Sequence, residues 1–190
     1  MFRIATDQWE ERAYKVLSNF SFAYPDEIDM HEICWRYGIK IKPLAREFVE
    51  LHTDYELVQD LKAFSIPKEK GRKGTIFLRE NLPYIERKLL LAEEFCHIYA
   101  HYLPQLKISS YAICKTENQA KRMSAYLLLP SAFLREVINT AYEQPVVISE
   151  IADHFLVPEE FAQYRLKLIF NRRIDAMITF RGKLGSLHRI

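Results

Sequence analysis

The chain has 190 residues, 49% hydrophobic and 27% charged, a balance that excludes disordered, collagen-like and low-complexity proteins and provides enough chain for one full core. Its net charge of +2 is too small to mark a nucleic-acid binder by itself, and the glycine pair Gly71 and Gly74 fits neither a Walker A loop nor a GxGxxG turn. Cys34, Cys96 and Cys114 are widely spaced with no CxxC, the N-terminus has no apolar h-region and no window approaches a membrane span, so free thiols and a cytoplasmic location are expected.

Trp9, Ala13, Val16, Leu17 and Phe20 fall at helical spacing and predict an amphipathic first helix over 7–20. A second helix is predicted over 29–37, stopped by Gly38. The segment 39–44 alternates strictly, 64–66 is apolar at both ends, and 75–78 is β-branched and aromatic after a Gly-Arg-Lys-Gly turn. These predict a small sheet of three strands with one hairpin. Beyond Pro83 the pattern is helical: 84–102 stopped by Pro104, 117–129 stopped by Pro130, then 131–142, 150–156 and 158–170 opened by Pro158. The expected architecture is α+β and mostly helical, one domain over 1–190. Within it, N-terminal helices occupy 1–38, the sheet 39–80, the helices carrying the candidate chemistry 83–130, and C-terminal helices 131–190. From Arg165 onward seven basic residues stand against the single acid Asp175, which reads as a solvated basic tail.

The helix over 84–102 is mostly apolar, so its polar exceptions matter. At about 100° per residue, Glu93, Glu94, His97 and His101 fall within one quarter of the circumference. Burying two acids and two imidazoles costs several kcal/mol unless they are paired or bind a metal. Two readings follow: a solvated face continuing through Glu86 and Arg87, or a metal seam. In the second, ligands at i and i+4 share one ion, and a glutamate directly after the first ligand acts as general base on the water that the ion holds. In Glu93-Glu94-Phe95-Cys96-His97 the base and second ligand are in place, with a carboxylate at the first ligand position. The next helix opens with Thr116-Glu117-Asn118-Gln119, a capping-box pattern with Thr116 as N-cap. Glu117 then sits in the first turn, either complementing the helix dipole or serving as third ligand.

The stretch 87–101, with Ala92-Glu93-Glu94-Phe95-Cys96-His97 at its centre, resembles the A-H-E-x-G-H-x-x-x-H helix of the ImmA/IrrE-type metallopeptidases, gluzincin-like proteins of bacteria and their phages and mobile elements. The stretch 117–130, ending Leu127-Leu128-Leu129-Pro130, is similar to that family's E-x-x-A-N-x-F-A-A-x-L-L-M-P, and 147–166 resembles its helix-turn-helix-like segment. The resemblance implies a zincin-like fold, zinc as cofactor, Glu94 as general base, and His97 and Glu117 as metal ligands. Glu93 stands where the family's first ligand histidine usually is, and Cys96 where its glycine is. His101, four residues after His97, is the alternative ligand. The implied substrate is a helix-turn-helix (Xre-type) repressor of phage or mobile-element genes, whose cleavage would relieve repression.

In the helix-turn-helix-like segment, placed at 149–170, Ile151, Ala152, Phe155, Val157, Phe161 and Leu166 supply a buried spacing. Glu159 and Glu160 open its second helix, where acids would repel phosphates, so a structural or protein-docking role is favoured over direct DNA binding. The alternative to the peptidase is a catalytically impaired regulator that keeps the fold and acts by binding a repressor or another protein.

Overall fold

The computed structural model describes residues 7–68, 72–100, 110–170 and 183–184. In chain order the elements are α1 (Gln8–Leu17), a 3-10 turn (Pro25–Glu27), α2 (Met30–Arg36), β1 (Lys40–Pro43), α3 (Arg46–Val49), a second 3-10 turn (Tyr55–Leu57), β2 (Ala63–Pro67), β3 (Gly74–Leu78), α4 (Tyr84–Ala100), α5 (Ser110–Leu128), α6 (Ser131–Glu143), β4 (Val146–Val147), α7 (Ile148–Phe155), α8 (Glu159–Phe170) and β5 (Lys183–Leu184). The fold is α+β and mostly helical. The sequence pattern did not reveal α3, the 3-10 turns or the short β4–β5 pair, which are too short to display a period. Among the described residues no helix is long and apolar enough to cross a membrane. The chain divides into two compact units, Asp29–Ser124, and Met1–Ile28 together with Ala125–Ile190.

In the unit Asp29–Ser124, α2 starts where the Asp29 carboxylate accepts the His31 N–H at 2.7 Å. It stops at Gly38, whose φ of +68° suits a residue without Cβ. Gly38 N–H donates to the Trp35 carbonyl and Ile39 N–H to that of Cys34, both at 2.9 Å, the paired closure of a Schellman end. The chain passes directly into β1. β3 is the central strand, parallel to β1 and antiparallel to β2, with Phe64 opposite Phe77 and Ser65 opposite Ile76.

Alternation then assigns the two faces of the sheet. Phe64, Phe77 and Ile66 join Leu44, Val49 and Val58 in a core on one side, the two phenylalanine rings stacked at 4.9 Å. Ser65 and Gly74 belong to the other, where α4 packs on β2 and β3. A Cβ on Gly74 would lie 2.9 Å from Ile98 Cδ1 and 2.6 Å from the Ile66 carbonyl oxygen, so the absent side chain lets helix and sheet approach. Gly74 is therefore a strand residue paired with Pro67, not part of the predicted turn.

The predicted start of α5 is also corrected. The helix begins at Ser110, seven residues before Glu117, so Thr116 is not an N-cap and Glu117 lies in the helix interior. The residues from Tyr111 to Lys115 include no glycine or proline, and an established helix propagates through such a stretch in preference to stopping at a cap.

In the other unit, Asp7 caps α1 by accepting from Trp9 N–H at 2.7 Å and Glu10 N–H at 3.1 Å. Its second oxygen accepts from the Tyr126 hydroxyl at 2.6 Å. Arg165, expected to belong to a solvated basic tail, is instead 1% exposed. Its Nε donates to the Leu129 carbonyl and its Nη2 to Ser131 Oγ, both at 3.0 Å. Nη2 also lies 3.4 Å from Glu10 Oε1, an oxygen that accepts from the Ser131 hydroxyl, and the guanidinium stacks 4.5 Å over the Tyr126 ring. A guanidinium's fixed fork suits such a multi-partner buried position. Of the rest of the basic tail, Lys167 in α8 is exposed and Lys183 lies in β5, and the others lie outside the described residues. α7 and α8 form the expected pair: Ile151, Ala152, Phe155, Val157, Phe161 and Leu166 are all buried, while Glu159 and Glu160 are exposed.

Candidate functional site

Helix α4 is held on its apolar side by Leu91, Ala92, Phe95, Ile98 and Tyr99, all buried, with the Tyr37 ring edge-on to Phe95 at 5.4 Å and to Tyr99 at 5.6 Å. The polar residues of the seam follow from that packing. Glu94 is 8% and His97 5% exposed, which overturns the solvated-face reading for both. Glu93 is half-buried. From α5, Glu117 brings its Oε2 to 3.3 Å from His97 Nε2 while keeping 53% of its side chain exposed. Two donors bound at about 2.0–2.1 Å to one tetrahedral zinc stand about 3.3 Å apart. The pair is thus spaced for an ion as well as for a hydrogen bond.

Glu94 receives a hydrogen bond from Ser65 on β2, and its Oε2 has no hydrogen-bond partner among the described residues. The hydroxyl favours the ionised carboxylate while Oε2 stays open, the arrangement a general base requires. Sequence reasoning missed Ser65. The signal was a hydroxyl alone between Phe64 and Ile66, on a strand position whose burial demands a polar partner.

The electrostatics reflect crowding of acids in a dry place. Burial pushes the Glu93 carboxyl up to about 7, with Lys121 and His97 opposing and Glu94 and Glu117 adding to the rise. Burial likewise raises Glu94, against the attraction of His97 and the Ser65 bond. For His97 burial acts downward, yet the bond to Glu117 and the charges of Glu94, Glu117 and Glu93 outweigh it and the net shift is upward. Cys96, in the glycine's place, is fully buried and raised well above its ordinary value, first by burial, which makes it an inert thiol.

His97 and Glu117 are therefore brought together as a pair, with Glu93 and Glu94 close enough to shift their neighbours' titration. Among the described residues no three His, Cys, Asp or Glu side chains form a group arranged to hold a metal ion. His101, the alternative ligand, lies outside the described residues. The donors present fit a divalent ion in kind: an imidazole and a carboxylate at ligand spacing, beside a buried carboxylate oxygen without a hydrogen-bond partner among the described residues.

A family model described as peptidase M78, the IrrE N-terminal-like domain, matches residues 53–167. The chain belongs to this family. The IrrE N-terminal-like match opens before β2 and closes within α8, so it takes in Ser65, the whole seam and the α7–α8 pair. It establishes a metallopeptidase-like domain. Neither the curated proteins nor the solved structures give a significant match.

Proposed function

We propose that this domain is a zinc-dependent endopeptidase acting in the cytoplasm on a helix-turn-helix (Xre-type) repressor, so that cleavage relieves repression of phage or mobile-element genes. The observation that carries the reading is the 3.3 Å approach of His97 Nε2 to Glu117 Oε2, directly beside the buried Glu94. His97 and Glu117 would hold the ion, with Glu93 as the third protein donor. When bound, a zinc ion supplies Lewis acidity at a water and at the scissile carbonyl. Glu94, with its Oε2 open among the described residues, takes the proton from the attacking water and delivers it to the departing amine. The raised pKa of Glu94 suits the first transfer, since a carboxyl lifted by burial is a stronger base than an ordinary one. The exposed Glu159 and Glu160 at the head of α8 favour protein docking over phosphate contact at the helix-turn-helix-like pair.

The second reading, a regulator that binds its repressor without cutting it, is favoured by Glu93, because a carboxyl near neutrality is a weaker ligand than the imidazole it replaces. Co-expression with candidate repressors separates the two. Glu94→Gln keeps the size but not the basicity of the side chain, so cleavage should fall by about 10²–10⁴-fold while co-purification with the repressor persists. Derepression by parent and variant alike, with the repressor intact, would select the regulator.

A further inference from the structure

From Glu136 to Glu160 the chain has six acids and no lysine or arginine, although its net charge is +2. All six, Glu136, Glu143, Glu150, Asp153, Glu159 and Glu160, are exposed, and none joins an ion pair among the described residues. Folding places a cleft within this stretch. α6, β4 and α7 line a cavity of about 450 Å³ that opens to solvent, a size that seats a ligand group rather than a single water. Val137, Val146 and Ile151 give it an apolar floor, the last two buried. Gln144 and His154 bring hydrogen-bonding groups to the rim, and among the described residues no lysine or arginine lines it. The charge it does carry is the Glu150 carboxylate. Glu150 Oε2 accepts the Val147 N–H at 3.0 Å, which fixes the group and leaves Oε1 to meet a cation.

Such a cleft repels anions and selects a positive head on an apolar body. We propose that it docks a basic amphipathic segment of a protein partner, an arginine or lysine of that segment meeting Glu150 while a neighbouring apolar side chain covers the floor of Val137, Val146 and Ile151. The five other acids argue for a macromolecule and against a lone small cation. Their field extends over α6, α7 and the head of α8, and a field of that extent steers a surface of matching charge. In the proposed function, on which this identification of the partner rests, the segment belongs to the repressor's DNA-binding face, which is basic because it meets phosphates.

The test is fluorescence anisotropy of a labelled helical peptide built from arginine, leucine and alanine, titrated with the full chain at about 0.15 M salt. A counterpart with glutamine for every arginine should not bind. Glu150→Gln keeps the hydrogen bond that starts α7, since glutamine serves the same capping position, and Gln144→Lys sets an exposed cation at the rim. Each should weaken the arginine peptide by about tenfold or more, the loss of a charge-assisted bond. Glu47→Gln removes the same charge from an exposed site in the other unit and should leave binding unchanged. No binding of the arginine peptide overturns the proposal, as does an equal loss in Glu150→Gln and Glu47→Gln, which would leave only diffuse attraction. Displacement of the peptide by agmatine at equal concentration also overturns it, in favour of a small-cation site. None of these variants touches the seam, so failure here leaves the catalytic reading standing, and intact repressor in the cleavage assay leaves the docking site standing.

Discussion

Glu10 and Glu94 are both buried carboxylates, each with one oxygen that lacks a hydrogen-bond partner among the described residues, yet their surroundings answer them differently. Glu10 meets the Arg165 guanidinium and the Ser131 hydroxyl, and Arg165 in turn reaches the Leu129 carbonyl and the Tyr126 ring. Positive charge from the chain itself matches the acid. Glu94 shares its seam with Glu93 and Glu117, against one imidazole and one exposed ammonium. Since a buried charge costs several kcal/mol unless matched, the first cluster is closed and the second keeps an excess of acid that raises its carboxyl pKa values. An open carboxylate oxygen alone therefore does not mark a site. The excess of acid around it does.

Breaking the closed cluster should have the largest effect. Arg165→Met fills a similar volume but leaves Glu10 buried without its counter-charge, and removing one partner of a buried pair typically costs about 3–5 kcal/mol. Urea unfolding at pH 7 measures it. Adding Glu10→Gln should return part of the loss, because the stranded charge goes with it. A cost below about 1 kcal/mol would mean that Arg165 is held by packing and that the comparison with the seam is void.

The seam should answer in the opposite direction. The Glu93 carboxyl is raised from about 4.5 to about 7 in the fold, so folding favours its protonated form. Below pH 4.5 the group is protonated in folded and unfolded chains alike, and its contribution to stability is intact. As pH rises from 4.5 to 7 the unfolded chain ionises first and stability is lost, the loss levelling off above pH 7. In chelator at pH 8, Glu93→Gln should thus be more stable than the parent by on the order of 2–3 kcal/mol, and the difference should vanish at pH 4.5. Urea unfolding across that range tests both limbs. A variant less stable than the parent at pH 8 would show that Glu93 is matched within the chain, as Glu10 is.

What could be read from the sequence divides along the same line. Helix faces and the central strands declare themselves through periods of apolar residues, and the Gly38 stop through its backbone freedom, so the α+β plan, the three-stranded sheet and the quarter-circle of Glu93, Glu94 and His97 were legible. Glu117 does come within 3.3 Å of His97, but the local reason for singling it out does not hold: the capping pattern at Thr116 is overridden by a helix that begins at Ser110. Ser65 was invisible as a site residue because it acts across elements, from β2 onto α4, and no spacing along the chain encodes such a meeting. Arg165 was misread for the same reason. In a run of basic residues nothing local distinguishes the one that finds Glu10, Ser131 and the Leu129 carbonyl.

Ser65 supplies the smallest and most specific test. Ser65→Ala removes a hydroxyl and little volume, so the packing of α4 on β2 should persist and the loss should be that of one hydrogen bond, about 1 kcal/mol. The cost should depend on pH. A hydroxyl donating to a carboxylate favours the ionised form, and burial already holds Glu94 above its ordinary range, so without Ser65 its pKa rises further. While Glu94 is protonated in the fold the hydroxyl contributes little; once pH passes its folded pKa, the serine protein keeps a stabilised carboxylate that the alanine protein lacks. The stability gap between the two should therefore widen as pH rises above the ordinary carboxylate range, and Ser65→Thr, which keeps the hydroxyl, should close it. A gap constant across that range would mean that the hydroxyl serves the sheet and not Glu94. The open oxygen of the seam would then be oriented by helix packing alone.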